Sequence, residues 1–127
     1  MNKLEASVTT KYVMPWSRRY RKVYPNHLIE VKAVRKGSLL VSQFEPGQLH
    51  TLKNGTTHKI VDTGTMNPAD IVSVHGRGFI AVWYEEEQLL CIIDVNDYLK
   101  NNDSELSAHP VDSERAKSLA MHYYILS

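Results

Sequence analysis

The run Phe79-Ile-Ala-Val-Trp-Tyr84, the break Glu85-Glu-Glu87 and the second run Leu89-Leu-Cys-Ile-Ile93 constrain this chain more than any other feature. Both runs read as strands, and the glutamates between them as a solvated turn. Neither run alternates with polar residues, so both faces need cover. In a chain of 127 residues the second cover comes from a closed barrel, a terminal helix or another subunit. Both runs fall far short of the ~20 apolar residues that a membrane span needs. Met1 to Tyr12 is polar and has no apolar stretch of the kind a signal peptide carries. The expectation is a chain with no membrane contact, cytoplasmic or incorporated in a virion.

The length suits one domain, and a hydrophobic content of 43% is enough to give it its own core. A single cysteine, Cys91, excludes an internal disulfide and any zinc site built on several thiolates. Further strands are read at Ile29 to Ala33, Leu39 to Val41, Thr57 to Val61 and Asp70 to Val74. Glu45-Pro-Gly47 and Asn54-Gly55 mark turns, with Leu49-His-Thr-Leu52 between them as a short strand or exposed loop. Gly76-Arg-Gly78 reads as a tight corner, and Asn96 to Lys100 as a helical turn. Asp112 is placed to cap a terminal helix from Ser113 to about Ile125, with Ala116, Leu119, Ala120 and Tyr123 as its apolar stripe. These elements predict a mainly β fold, a small β-barrel over residues 26–100. A basic arm over 1–25 precedes it, and a polar linker with one C-terminal α-helix over 101–127 follows.

Charge is distributed unevenly. Residues 1–36 hold nine basic and two acidic groups, a net +7, and the rest of the chain carries −6. Such asymmetry points to a segment that meets an acidic partner, whether nucleic acid, a neighbouring copy or the chain's own body. Within the arm, Tyr12, Trp16, Tyr20 and Tyr24 recur every four residues, which suits a helix face. Pro15 and Val8-Thr-Thr10 argue against a continuous helix, so the arm is read as extended, with one short turn at Ser17 to Lys22. Tyr12, Trp16, Arg18, Arg19, Tyr20, Arg21, Lys22 and Tyr24 are the candidate partner-binding residues. Tyrosine, tryptophan and arginine dominate protein interfaces. The same set would neutralise phosphates and stack on unpaired bases. The clamp on a protein is preferred, because the acidic body would repel a phosphate backbone.

Catalytic and metal patterns are missing. His50, His58 and His75 follow no metal-ligand spacing, and Cys91 lies within an apolar run where a thiol is inert. Gly76-Arg77-Gly78 neither matches the spacing of a phosphate loop nor leads into a helix. The three glutamates at one turn have no pocket to split their pKa values. The expectation is a non-enzymatic protein with no catalytic residue, metal or cofactor.

From Gly37 to Leu99 the chain resembles the GroES-like co-chaperonins, the chaperonin-10 family. The resemblance rests on Ser38-Leu-Leu-Val41, His58-Lys-Ile-Val-Asp-Thr-Gly64, Asn67-Pro-Ala-Asp-Ile-Val72, Gly76-Arg-Gly78, Gln88-Leu-Leu90 and Asp94-Val-Asn-Asp-Tyr-Leu99. It implies a small barrel able to assemble into rings. Family members carry a long mobile loop whose apolar tripeptide docks on the chaperonin. Here the stretch Phe44 to Thr57 is short and lacks the tripeptide, leaving Leu49 and Leu52 as the only substitutes. The basic arm and C-terminal helix are foreign to the family. The leading expectation is therefore an oligomer-forming assembly subunit, such as one of a viral or phage particle, that clamps neighbours through arm and helix. A divergent co-chaperonin and a small nucleic-acid-binding barrel are the alternatives.

Overall fold

The structure, a computed structural model, describes residues 2–22, 27–54, 56–60, 71–75, 77–101 and 109–126. The chain begins with α1 (Lys3–Val8), a π-helical turn (Thr9–Val13) and α2 (Met14–Tyr20), followed by β1 (His27–Val34). A 3₁₀ turn (Val41–Gln43), α3 (Gln48–Asn54), β2 (Thr56–Ile60) and β3 (Ile71–His75) come next. The remaining elements are β4 (Arg77–Tyr84), β5 (Leu89–Asp94), α4 (Val95–Asn101), α5 (Ser113–Leu119) and β6 (His122–Ile125). Among the described residues the strands form one four-stranded sheet in the order β1-β4-β5-β6 and a separate antiparallel pair β2-β3.

The large sheet is open and mixed, with β1 and β6 at its edges, and it does not close into the expected barrel. β1 lies parallel to β4, running from His27 opposite Arg77 to Val34 opposite Tyr84. Parallel neighbours need a long crossover, and the segment that holds α3 and the β2-β3 pair supplies it. β4, β5 and β6 are successive antiparallel neighbours.

Helices do the covering that barrel closure was expected to do. Ile80, Val82 and Tyr84 of β4 and Leu89, Cys91 and Ile93 of β5 face a core built with Leu39, Phe44, Leu52, Val95, Tyr98, Val111 and Ala116. Phe79, Ala81, Trp83, Leu90 and Ile92 point the other way and are covered by Val8, Val13 and Trp16. The result is a three-layer α/β sandwich in which the two apolar runs form the middle.

Local sequence explains most elements. Asp112 caps α5 as read, its Oδ1 accepting the Arg115 N–H at 2.7 Å. The helix stops at Leu119, six residues before the expected end, because Ala120 is extended and the following residues pair with β5. His122 to Ile125 combines aromatic and β-branched residues, which fit a pleated edge better than a helix. Leu49-His-Thr-Leu52 belongs to a helix instead of a strand or exposed loop. Gln48 Oε1 accepts the Glu45 N–H at 2.8 Å, and Gly47, at φ 85°, makes the turn into α3. Leu39 makes a single β-bridge to Val111, and the chain then turns at Val41 where a strand was expected. α3 lies so close to β4 that a Cβ on Gly78 would stand 2.0 Å from the Leu52 carbonyl oxygen. Strands at 29–33, 79–84 and 89–93, the glutamate turn and the helix after Asp94 are where the sequence places them. The corner at Gly76, residues 61–70 and the linker 102–108 lie outside the described residues.

Candidate interaction surface

The N-terminal segment is helical throughout residues 3–20, contrary to the extended arm. Asn2 and Glu5 start it with a reciprocal cap, Asn2 Oδ1 accepting the Glu5 N–H at 2.8 Å. Glu5 also accepts the Ala33 N–H at 3.4 Å, tying the helix start to the outer strand. Pro15 lacks the N–H that would bond back one turn, and the backbone has already widened into the π turn immediately before it. The Thr9 hydroxyl bonds the Glu5 carbonyl at 2.7 Å, so the β-branched pair also fits the helix. The buried valines Val8 and Val13 are five apart, a separation that an i→i+5 turn brings onto one face. The burial of that face on the sheet outweighs the local cost of Pro15 and the threonines.

The aromatic candidates face inward. Trp16 is only 3% exposed, stacks on Tyr20 with centroids 4.7 Å apart, and meets Phe79 edge-on at 5.5 Å. Its Nε1–H donates to His122 Nδ1 at 3.1 Å. Tyr12 stacks on Trp83 at 5.3 Å. The Tyr20 hydroxyl accepts from Arg77, whose other nitrogen makes a 2.8 Å ion pair with Asp94. Arg77, read at a corner tip, stands instead at the start of β4 as a strut between sheet and helix. Tyr24 lies outside the described residues.

The cationic candidates face outward. Arg18, Arg19, Arg21 and Lys22 are all exposed around the end of α2. Cations there complement the helix dipole, which is the bland account of one or two of them. Among the described residues the ion pairs are Lys32–Glu30, Arg77–Asp94 and Lys117–Glu114, so none of these four meets a carboxylate. Lys3, Lys11, Arg35 and Lys36 add to the exposed basic groups.

Two grooves flank the helix. One, of about 320 Å³, runs along β1 past Ser17, Arg21, His27 and Glu30. Ser17 Oγ stands 2.8 Å from His27 Nε2, a contact that sequence reading missed because neither residue belongs to a motif. His27 is buried among Trp16, Tyr20 and Phe79, and the hydroxyl supplies the partner that a buried imidazole needs. The other groove, about 200 Å³, lies between the helix and β5-β6, lined by Lys11, Tyr12, Trp16, Arg19 and Tyr124 among others.

The remaining candidates are structural. Leu52 is buried against β4 and Leu49 packs on the same core, so neither is displayed as a docking residue. Cys91 is buried, and desolvation pushes its thiol up to about 12. Among the described residues no group of three or more His, Cys, Asp or Glu is placed to hold a metal ion. Nor is any described helix long and apolar enough to cross a membrane. No protein-family model, no curated protein and no solved structure matches this chain.

Proposed function

We propose that this protein is a non-enzymatic component of a larger assembly, holding an acidic protein neighbour through the outer side of its N-terminal helix. The observation that carries this reading is the partition of the helix: Tyr12, Trp16 and Tyr20 are spent on the sheet, while Arg18, Arg19, Arg21 and Lys22 project to solvent without carboxylate partners among the described residues. With Trp16 buried and Tyr12 and Tyr20 packed half-buried on the sheet, these rings offer less of the stacking platform that single-stranded nucleic acid would use. What remains is a compact field of delocalised and point cations, suited to steering and orienting an acidic surface.

The test is binding of fluorescent poly-glutamate, as an acidic protein surrogate, and of a DNA duplex, each across a salt series. The expected result is salt-sensitive poly-glutamate binding that drops at least tenfold when Arg18, Arg19, Arg21 and Lys22 are all changed to Gln, with duplex binding no tighter. Duplex binding that is much tighter and falls steeply with salt would transfer the surface to nucleic acid. Binding to neither, or binding indifferent to the four substitutions, would end the reading.

A further inference from the structure

The two edges of the large sheet are treated differently. β1 carries Glu30 and Lys32, paired at 3.6 Å, with Lys32 buried and its ammonium 5.1 Å from the Phe44 ring centre. Its Ala33 N–H is already taken by Glu5. Charges on the strand and an occupied edge donor are devices that discourage strand addition. Among the described residues β6 has none of them. His122-Tyr-Tyr-Ile125 contains no lysine, glutamate or proline, and Tyr123 and Ile125 are 51% and 64% exposed.

The pairing with β5 fixes which groups are available. Leu126 N–H donates to the Gln88 carbonyl at 2.8 Å, and Tyr124 lies opposite Leu90 two residues earlier. Antiparallel ladders alternate, so Leu126 and Tyr124 bond inward, while the N–H and C=O of Tyr123 and Ile125 point away from β5.

We propose that β6 is a self-pairing edge, joining two copies of this chain antiparallel about a two-fold axis through Tyr124 and continuing the sheet from one copy into the other. In this register Tyr123 and Ile125 each exchange both backbone bonds with Ile125 and Tyr123 of the second copy. Their side chains form two aromatic–β-branched cross-strand pairs on one face, the pairing that stabilises antiparallel neighbours. Tyr124 meets its own mate on the other face. A second copy suits this edge because, with the axis at Tyr124, the outward groups of both Tyr123 and Ile125 find partners within the same strand of the other copy, and the strand itself bears no lysine, arginine or carboxylate. The pairing strand itself carries none of the four helix cations of the proposed function, of which only Arg19 stands beside Tyr124, and salt that weakens cation docking does not weaken the pairing. Edge pairing brings Lys11 and Arg19, beside Tyr124, toward those of the other copy, so screening does not weaken it.

Light scattering of the full chain across a concentration series reaching roughly 100 µM should give twice the 14.5 kDa chain mass, at low and at high salt alike. Ile125→Lys puts a charge on an exposed edge position and should return the mass to one chain with an unchanged circular dichroism spectrum. Tyr124→Cys provides the register test. Directly opposed residues in a non-hydrogen-bonded pair have Cα atoms about 4.5 Å apart, within disulfide reach. This variant should form a covalent dimer on oxidation, while the wild-type chain, with Cys91 buried, should not. A wild-type monomer throughout, or a folded Ile125→Lys chain that stays dimeric, overturns the proposal. A dimer lost in Ile125→Lys without any Tyr124→Cys cross-link overturns the register. A monomer that still binds poly-glutamate removes the edge alone, and a dimer that does not bind it removes the docking reading alone.

Discussion

Trp16 Nε1–H donates to His122 Nδ1 across 3.1 Å, joining the first helix to the last strand over a separation of 106 residues. The bond lies at the end of a ring cluster in which Trp16 also contacts Tyr20, His27 and Phe79. It makes the N-terminal segment part of the fold, and its acceptor is a neutral imidazole nitrogen.

Trp16→Ala should remove the centre of that cluster and cost about 3–5 kcal/mol, the range for deleting a large buried aromatic. Arg18→Gln with Arg19→Gln, on the exposed side of the same turn, should change stability by no more than about 0.5 kcal/mol each. Urea unfolding followed by circular dichroism separates the two. Equal effects would contradict the inward and outward partition.

Deleting residues 1–22 should leave a chain that aggregates or fails to fold, because Phe79, Ala81, Trp83, Leu90 and Ile92 lose their cover. Size-exclusion chromatography with a hydrophobic dye reports the exposed face. A monodisperse truncated chain with native β content would show that the segment is an appendage after all.

Gly78→Ala should destabilise by about 1–3 kcal/mol or more, since the added methyl meets the Leu52 carbonyl and backbone must move. Thermal unfolding measures it. A glycine of ordinary strand geometry with free space would give a neutral or slightly stabilising change instead.

Stability should fall in alkali. Burial raises the Cys91 thiol from 9.0 to about 12 and the Tyr98 phenol from 10.0 to about 12. Tyr84 is raised as well, chiefly by burial, its hydroxyl held on the Val111 carbonyl at 2.7 Å. These acids stay protonated in the fold while the unfolded chain releases their protons. Their contribution is complete below the unfolded values and is lost as pH rises from about 9 toward 12. Urea midpoints measured across that interval should decline steadily, and a flat profile would mean that the three groups are solvated.

Short-range signals were legible. The strands of the two apolar runs, the turn between them, the Asp112 cap and the four-residue spacing of Tyr12, Trp16 and Tyr20 all follow from side-chain chemistry within a few positions. So did the demand that both faces of β4 and β5 be covered. Which element supplies the cover was not legible, because a barrel wall and an amphipathic helix both bury the same area. Pro15 and the threonines made the N-terminal segment look unhelical, and only its packing on Phe79 and Trp83 repays that local cost. The same holds at the other end, where the apolar stripe Ala116, Leu119, Ala120, Tyr123 fits a helix, yet the open edge of β5 takes the last residues as a strand. The candidate cations were visible in the sequence as a cluster. Their freedom to meet a partner, and the unguarded state of β6, depend on which side of each element faces water, a long-range outcome decided in the tertiary structure.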